Sequence, residues 1–242
     1  MNLIIDAGNT NVKLAIFKKS EIIHLETVVV DLFVEVVKKI FKEYSKVQYA
    51  IISSVGSLSE EQIKVVAIFC DLHELSNTSK VPFKNSYASP QTLGVDRIAL
   101  VTSAYYFNPH QNNLIIDAGT CVTYDMINDF DEYLGGAISP GVQMRYNAMN
   151  EQTSKLPLLE KKELLDYIGN NTENCMHSGV INGITLEIDG VIDLYRARFK
   201  DLTIILTGGD TLFLSKRLKN TIFADSKFLL KGLNYLLEYN KH

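Results

Sequence analysis

Two short stretches of this 242-residue chain carry residue types suited to gripping a phosphate. The first is Asp6-Ala7-Gly8-Asn9-Thr10-Asn11-Val12-Lys13, at the end of an apolar run. Gly8 permits a tight turn whose backbone N–H groups can face an anion. Thr10 and Asn11 offer side-chain donors, and Lys13 offers a point positive charge. Asp6 would repel a phosphate directly but can hold a hydrated Mg²⁺ that bridges to one. The same residues also suit an Asn-rich β-hairpin in which Asn9 tolerates left-handed geometry, so the stretch alone leaves both readings open. The second stretch, Asp117-Ala118-Gly119-Thr120, repeats the start of the first. Two such hairpins can grip a polyphosphate from both sides.

A third group is Gly94-Val95-Asp96-Arg97, which heads an amphipathic pattern through Ile98, Ala99, Leu100 and Ala104. An Asp at a helix start is an ordinary cap, and sequence physics alone favours that role. The alternative is a general base that accepts the proton of a substrate hydroxyl, with Arg97 holding an anion nearby. His24, His73, His110, His177 and His242 have no ligand-like spacing and read as surface or satisfied histidines. Tyr105-Tyr106-Phe107 reads as core. There is no G-x-x-x-x-G-K-[ST], G-x-G-x-x-G, G-x-S-x-G or H-E-x-x-H, so P-loop, Rossmann, hydrolase-elbow and zincin chemistries lose their main support.

The elements that must position these residues are duplicated. Leu3-Ile4-Ile5-Asp6-Ala7-Gly8 recurs identically as Leu114-Ile115-Ile116-Asp117-Ala118-Gly119. After each copy come two further strand-like runs, so each half reads β-turn-β-turn-β. In the first half, Leu32, Phe33, Val36, Val37, Ile40, Phe41 and Tyr44 recur at helical spacing, with Asp31 as the expected N-cap. A strand from Val47 to Ser54, ending at Gly56, precedes a capping box at Ser59-Glu60-Glu61-Gln62 and a helix through Cys70. Their counterparts are a strand at Thr203–Thr207 ending at Gly208-Gly209 and a helix from about Asp210 to Leu218. The second half is longer by about 42 residues, a helical insert spanning about 140–198 with Val180, Ile184, Ile188, Val191 and Tyr195 on one stripe. Gly179, Gly183 and Gly190 interrupt it, which predicts close approach of another helix across a dimer or interdomain face. The expected fold is α/β, with two βββαβα domains at 1–108 and 109–242.

Composition agrees with a globular chain. Hydrophobic residues make 46% and charged residues 21%, which excludes disordered and collagen-like classes. The net charge of −4 gives no basic footprint for nucleic acid. The start Met1–Asp6 lacks the features of a signal peptide, and no apolar run reaches membrane-spanning length, so a cytoplasmic location is expected. Cys70, Cys121 and Cys175 are too few and too far apart for a disulfide framework or a structural zinc site.

Taken together, the chain resembles the type III pantothenate kinases of the acetate-and-sugar-kinase/Hsp70/actin superfamily. Four landmarks carry the resemblance along nearly the whole chain: D-x-G-N-T-x-x-K at Asp6–Lys13, G-x-D-R at Gly94–Arg97, I-D-x-G-T at Ile116–Thr120, and G-G-x-I-x-P-G at Gly135–Gly141. Val95 departs from a frequent Ala. The resemblance implies two ribonuclease H-like (actin-like ATPase) domains and transfer of the ATP γ-phosphate to pantothenate, the first step of coenzyme A biosynthesis. It implies ATP contacts from Asp6, Ala7, Gly8, Asn9, Thr10, Asn11, Val12, Lys13 and Thr120, with Mg²⁺ accompanying ATP. It implies Asp96 as the base, substrate contacts from Tyr87, Gly94, Val95, Asp96, Arg97 and Thr172, and a monovalent cation, K⁺ or NH₄⁺, at Asp117. It also implies a homodimer. The rival readings are a phosphatase or polyphosphate hydrolase on the same fold, and a non-catalytic nucleotide-sensing regulator.

Overall fold

Identical sequence gives identical local structure at the two repeats. In the computed structural model, which describes residues 1–8, 11–54, 58–163 and 166–241, strands β1 (Asn2–Ala7) and β7 (Asn113–Ala118) both read Asn-Leu-Ile-Ile-Asp-Ala. Each buries every residue except its half-buried Asp. Burial on both faces marks a central strand covered on both sides.

The chain divides into two units, Met1–Pro109 with Phe228–His242, and His110–Lys227. In the first, β1 runs antiparallel to β2 (Asn11–Lys18), and β2 antiparallel to β3 (Glu21–Val29). On its other side β1 runs parallel to β4 (Tyr49–Ser54), and β4 parallel to β5 (Asp71–Glu74), giving the order β3-β2-β1-β4-β5. Helices α1 (Phe33–Glu43) and α2 (Glu60–Ala67) cover one face, where Phe33, Val37, Ile40 and Val66 pack against Leu3, Ile5, Leu14 and Ile52. A two-residue strand, β6 (Lys84–Asn85), precedes α3 (Val95–Phe107).

The second unit repeats the pattern. Antiparallel β7, β8 (Cys121–Ile127) and β9 (Glu132–Pro140) are joined by parallel β10 (Thr203–Thr207) and β11 (Phe223–Ala224), in the order β9-β8-β7-β10-β11. The insert contains α4 (Val142–Glu151) and α5 (Thr172–Arg198); α6 (Thr211–Ser215) follows β10.

Several local expectations need correction. Asp31 lies in a 3₁₀ turn, and the N-cap of α1 is Leu32, with no side-chain cap bond. The capping box does form: Ser59 N donates to Gln62 Oε1 at 2.9 Å and Gln62 N to Ser59 Oγ at 3.3 Å. That helix stops at Ala67, short of Cys70. Helix α5 is unbroken across Gly179, Gly183 and Gly190, and a Cβ added at Gly179 or Gly190 would meet no atom within 4 Å. A Cβ at Gly183 would meet Arg145 Nη1 of α4 at 4.0 Å, so it is Gly179 and Gly190 that face no other element among the described residues. The last helix, α7 (Phe228–Asn240), belongs to the first unit, not to the second half as the 109–242 boundary placed it. Gly232 brings α7 so near α3 that a Cβ would lie 2.0 Å from the Ala99 carbonyl oxygen, and Ser103 Oγ donates to Phe228 O at 2.9 Å. Among the described residues, no helix is long and apolar enough to cross a membrane.

Candidate active site

In the first unit the β1–β2 hairpin sets the site. Asp6 and Lys13 are register partners, so their side chains leave the same face of the ladder. Lys13 Nζ reaches Asp6 Oδ2 at 3.5 Å, and Gly8 N closes the turn on Asn11 O at 3.1 Å. Gly8 has no left-handed φ and ordinary space for a Cβ, the nearest atom being Asn11 O at 3.4 Å. Ala7 and Val12 have buried side chains in the core, so only their backbone is available to a ligand. Asn9 and Thr10 lie outside the described residues.

Burial holds the Asp6 carboxyl above the usual carboxylate range, and the charge of Asp96 pushes in the same direction. Lys13 opposes both by charge and hydrogen bonding. The structure thus brings Asp96 within electrostatic reach of Asp6. Asp96 is the second residue of α3 and is not the cap; the N-cap is Gly94, which makes no side-chain cap bond. The Asp96 carboxylate folds back over the helix start, where Oδ1 accepts from Arg97 N at 2.8 Å. Glycine at position 94 leaves room for this rotamer, because a Cβ there would sit 2.4 Å from Asp96 Oδ1 and the carboxylate would have to turn aside. Arg97 is buried, and its guanidinium lies 5.6 Å from the centre of the Tyr87 ring. Asp6, Lys13, Tyr87, Gly94, Val95, Asp96 and Arg97 therefore belong to one unit, with Tyr87 seated on Arg97.

In the second unit Asp117 is the next-to-last residue of β7 and Thr120 is exposed in the following turn. Two glycines pack this turn from other elements. A Cβ at Gly141 would lie 2.2 Å from Gly119 O and 2.4 Å from Thr120 O, and Gly141 N donates to Thr120 O at 3.0 Å. Gly141 is also the N-cap of α4, so the positive end of that helix abuts the turn. Gly208 has φ +97°, and a Cβ there would lie 2.3 Å from both Ala118 O and Asp117 Oδ1. Asp210 N donates to Ala118 O at 2.9 Å. Thr172 is the exposed first residue of α5, capped by Asn171, whose side chain accepts from Asn174 N.

Sequence reasoning noted Gly208 and Gly141 only as strand and motif landmarks; that both press on one turn is a long-range contact. It also missed a buried pair in this unit, Tyr146 OH and His177 Nδ1 at 2.7 Å. Burial pushes the Tyr146 hydroxyl up to about 12, and burial together with Lys162 lowers the His177 imidazole. His177 is thus a structural partner of Tyr146.

Among the described residues no group of three or more His, Cys, Asp or Glu could hold a metal unaided. The half-buried Asp6 carboxylate is an oxygen donor of the kind Mg²⁺ takes, an ion that keeps few protein ligands.

A sheet in the order β3-β2-β1-β4-β5, repeated with its strand-turn-strand hairpin, defines a protein of the actin-like ATPase and sugar-kinase fold. Solved structures agree on the fold. A Campylobacter jejuni protein described as a Baf family transcriptional activator matches with a TM-score of 0.62 at 22% identity, covering 99% of this chain and 98% of that one. A glucokinase from an Antarctic psychrotroph matches with a TM-score of 0.52 at 10% identity, covering 98% of each. A family model described as type III pantothenate kinase matches residues 2–194. The type III pantothenate kinase of Christiangramia forsetii is 46% identical over 241 residues, spanning 100% of this chain and 99% of the relative. The chain belongs to the type III pantothenate kinase family. Its reaction is the ATP-dependent phosphorylation of pantothenate in coenzyme A biosynthesis.

Proposed function

We propose that Asp96 is the base on the acceptor hydroxyl and that the Asp6–Lys13 hairpin holds the phosphates of ATP. The observation that carries this reading is the placement of Asp96 within electrostatic reach of the Asp6–Lys13 pair. Phosphoryl transfer asks for positioning and charge neutralisation more than for covalent chemistry. Lys13 supplies positive charge to the phosphates, and the Asn11 side chain a hydrogen-bond donor. Asp6 would hold Mg²⁺, which neutralises phosphate charge when bound. Arg97, braced by Tyr87, suits the carboxylate of pantothenate. Thr120, beside the α4 N-terminus, would take a phosphate oxygen in the second unit. Thr172 is proposed as a substrate contact from the start of α5. Asp117 with neighbouring backbone carbonyls offers an all-oxygen donor set, which fits K⁺ or NH₄⁺. The test is ADP release from MgATP with and without pantothenate, in potassium and in sodium buffer. Pantothenate-dependent release that falls in sodium supports the assignment. Release independent of pantothenate points to a hydrolase, and no release at all to a nucleotide-sensing regulator.

Asp6 should trade stability for function. Its folded pKa lies above the unfolded value of 3.8, so the folded state binds the proton more tightly. Stability therefore falls as pH rises from 3.8 through the raised folded value. Asp6→Asn removes that fall: at pH 7 its Tm should match or exceed the parent's while turnover drops at least a hundredfold. A lower Tm at pH 7 contradicts the burial argument.

The chain is further proposed to act in the cytoplasm as a homodimer, without nucleic-acid or membrane partners. Leu186 (71% exposed) and Leu194 (72% exposed) flank Gly190 on the outward stripe of α5, which continues through Gly179. A second copy of α5 would cover this stripe, with the glycines permitting close approach. Leu186→Glu is expected to convert dimer to monomer in sedimentation velocity. A variant that sediments like the parent dimer overturns this face.

A further inference from the structure

Residues 156–163 run across the second unit and are fastened at successive points. Asn150 Nδ2 donates to Leu156 O at 2.7 Å and Gln143 Nε2 to Leu159 O at 2.9 Å. Lys161 Nζ is paired with Asp210 Oδ1, and Arg217 with Glu163. Between these two pairs lies Phe213, with the Arg217 guanidinium 3.9 Å and Lys161 Nζ 5.7 Å from its ring centre.

Asp210 is 9% exposed and is tied to the phosphate turn, since its backbone N–H donates to Ala118 O. Gly208, two residues earlier, presses on Asp117. The turn proposed to face ATP therefore contains one acidic residue, Asp117, and is bonded through the backbone to a second, the buried Asp210. A buried carboxylate is seldom left without a cation. Uncompensated, it would also repel the triphosphate through a medium that screens poorly.

We propose that Lys161 is a positioning residue for nucleotide affinity. Its ammonium cancels the charge of Asp210 so that the turn at 117–120 accepts an anionic nucleotide. The inference rests on the reading of that turn as nucleotide-facing. It separates charge from scaffolding, because Glu163–Arg217 fastens the same strap without touching Asp210.

The experiment compares Lys161→Ala, Lys161→Ala/Asp210→Asn and Glu163→Gln with the parent full-length enzyme. Readouts are KM for ATP, KM for pantothenate, kcat, and direct ATP Kd by titration. Lys161→Ala should raise KM and Kd for ATP about tenfold, with kcat and KM for pantothenate within about twofold. The increase should shrink as salt is added. The double variant, which has no charge left to compensate, should recover most of the ATP affinity, and Glu163→Gln should stay near the parent. Unchanged ATP affinity in Lys161→Ala overturns the inference. So does a double variant as weak as the single one, or a Glu163→Gln loss of equal size. A parent without pantothenate-dependent turnover instead defeats the kinase assignment, and the Kd values then decide the role of Lys161 independently.

Discussion

Asp96→Asn should lower kcat by about 10²- to 10⁴-fold while leaving ATP affinity within about twofold, the range expected when a general base is removed. The asparagine keeps the shape of the side chain and can still accept from Arg97 N, so the start of α3 and the space over Gly94 are preserved. What it loses is the capacity to take the proton of the acceptor hydroxyl. A second readout comes from Asp6, whose carboxyl is raised partly by the charge of Asp96. Removing that charge should bring the Asp6 titration back toward the ordinary carboxylate range, measurable by NMR. Unchanged kcat would show that Asp96 is no more than a residue in the first turn of a helix.

Gly208→Ala should damage both stability and nucleotide binding. At φ +97° an L-residue is strained by about 1–2 kcal/mol. Its Cβ would also collide with Ala118 O and Asp117 Oδ1, each 2.3 Å away. Overpacking of this kind adds about 1–3 kcal/mol. The expected result is a Tm lower by roughly 5–15 °C and a KM for ATP at least several-fold higher, because relief of the clash must move the turn at Asp117. Gly209→Ala is the matched control: a Cβ there meets nothing within 4 Å and the backbone is not left-handed. Equal effects from the two substitutions would mean that the packing of Gly208 on Asp117 does not matter.

What the sequence revealed and what it hid divide along the range of the interactions. The repeat was legible because strand pattern, turn and partner strand all lie within about twenty residues. For the same reason the Asp6–Lys13 contact follows from hairpin register alone. The Ser59–Gln62 capping box was equally local. The contacts that shape the second turn are different in kind. Gly208 and Asp117 are brought together only by the parallel pairing of β10 with β7, in which Thr207 faces Asp117. The docking of α7 through Gly232 onto Ala99 joins residues far apart in the chain and has no local signature. The glycines of α5 are less telling: low helix propensity suggests a close neighbour, but a Cβ at Gly179 or Gly190 meets nothing within 4 Å among the described residues, so such a neighbour would have to be a second copy, which the sequence of one chain does not display. Asp31 misled because a good capping residue one position early lost to a 3₁₀ turn that enters the helix at Leu32.

The claim at the centre is that phosphate passes from ATP to the hydroxyl of pantothenate. It is tested most directly by a single turnover with γ-³²P-labelled ATP and excess pantothenate, followed by separation of the labelled products. The expected result is label in 4′-phosphopantothenate in equal amount to the ADP formed, with the transfer slowed about 10²- to 10⁴-fold in Asp96→Asn. Label recovered as inorganic phosphate, at the same rate with or without pantothenate, would contradict it.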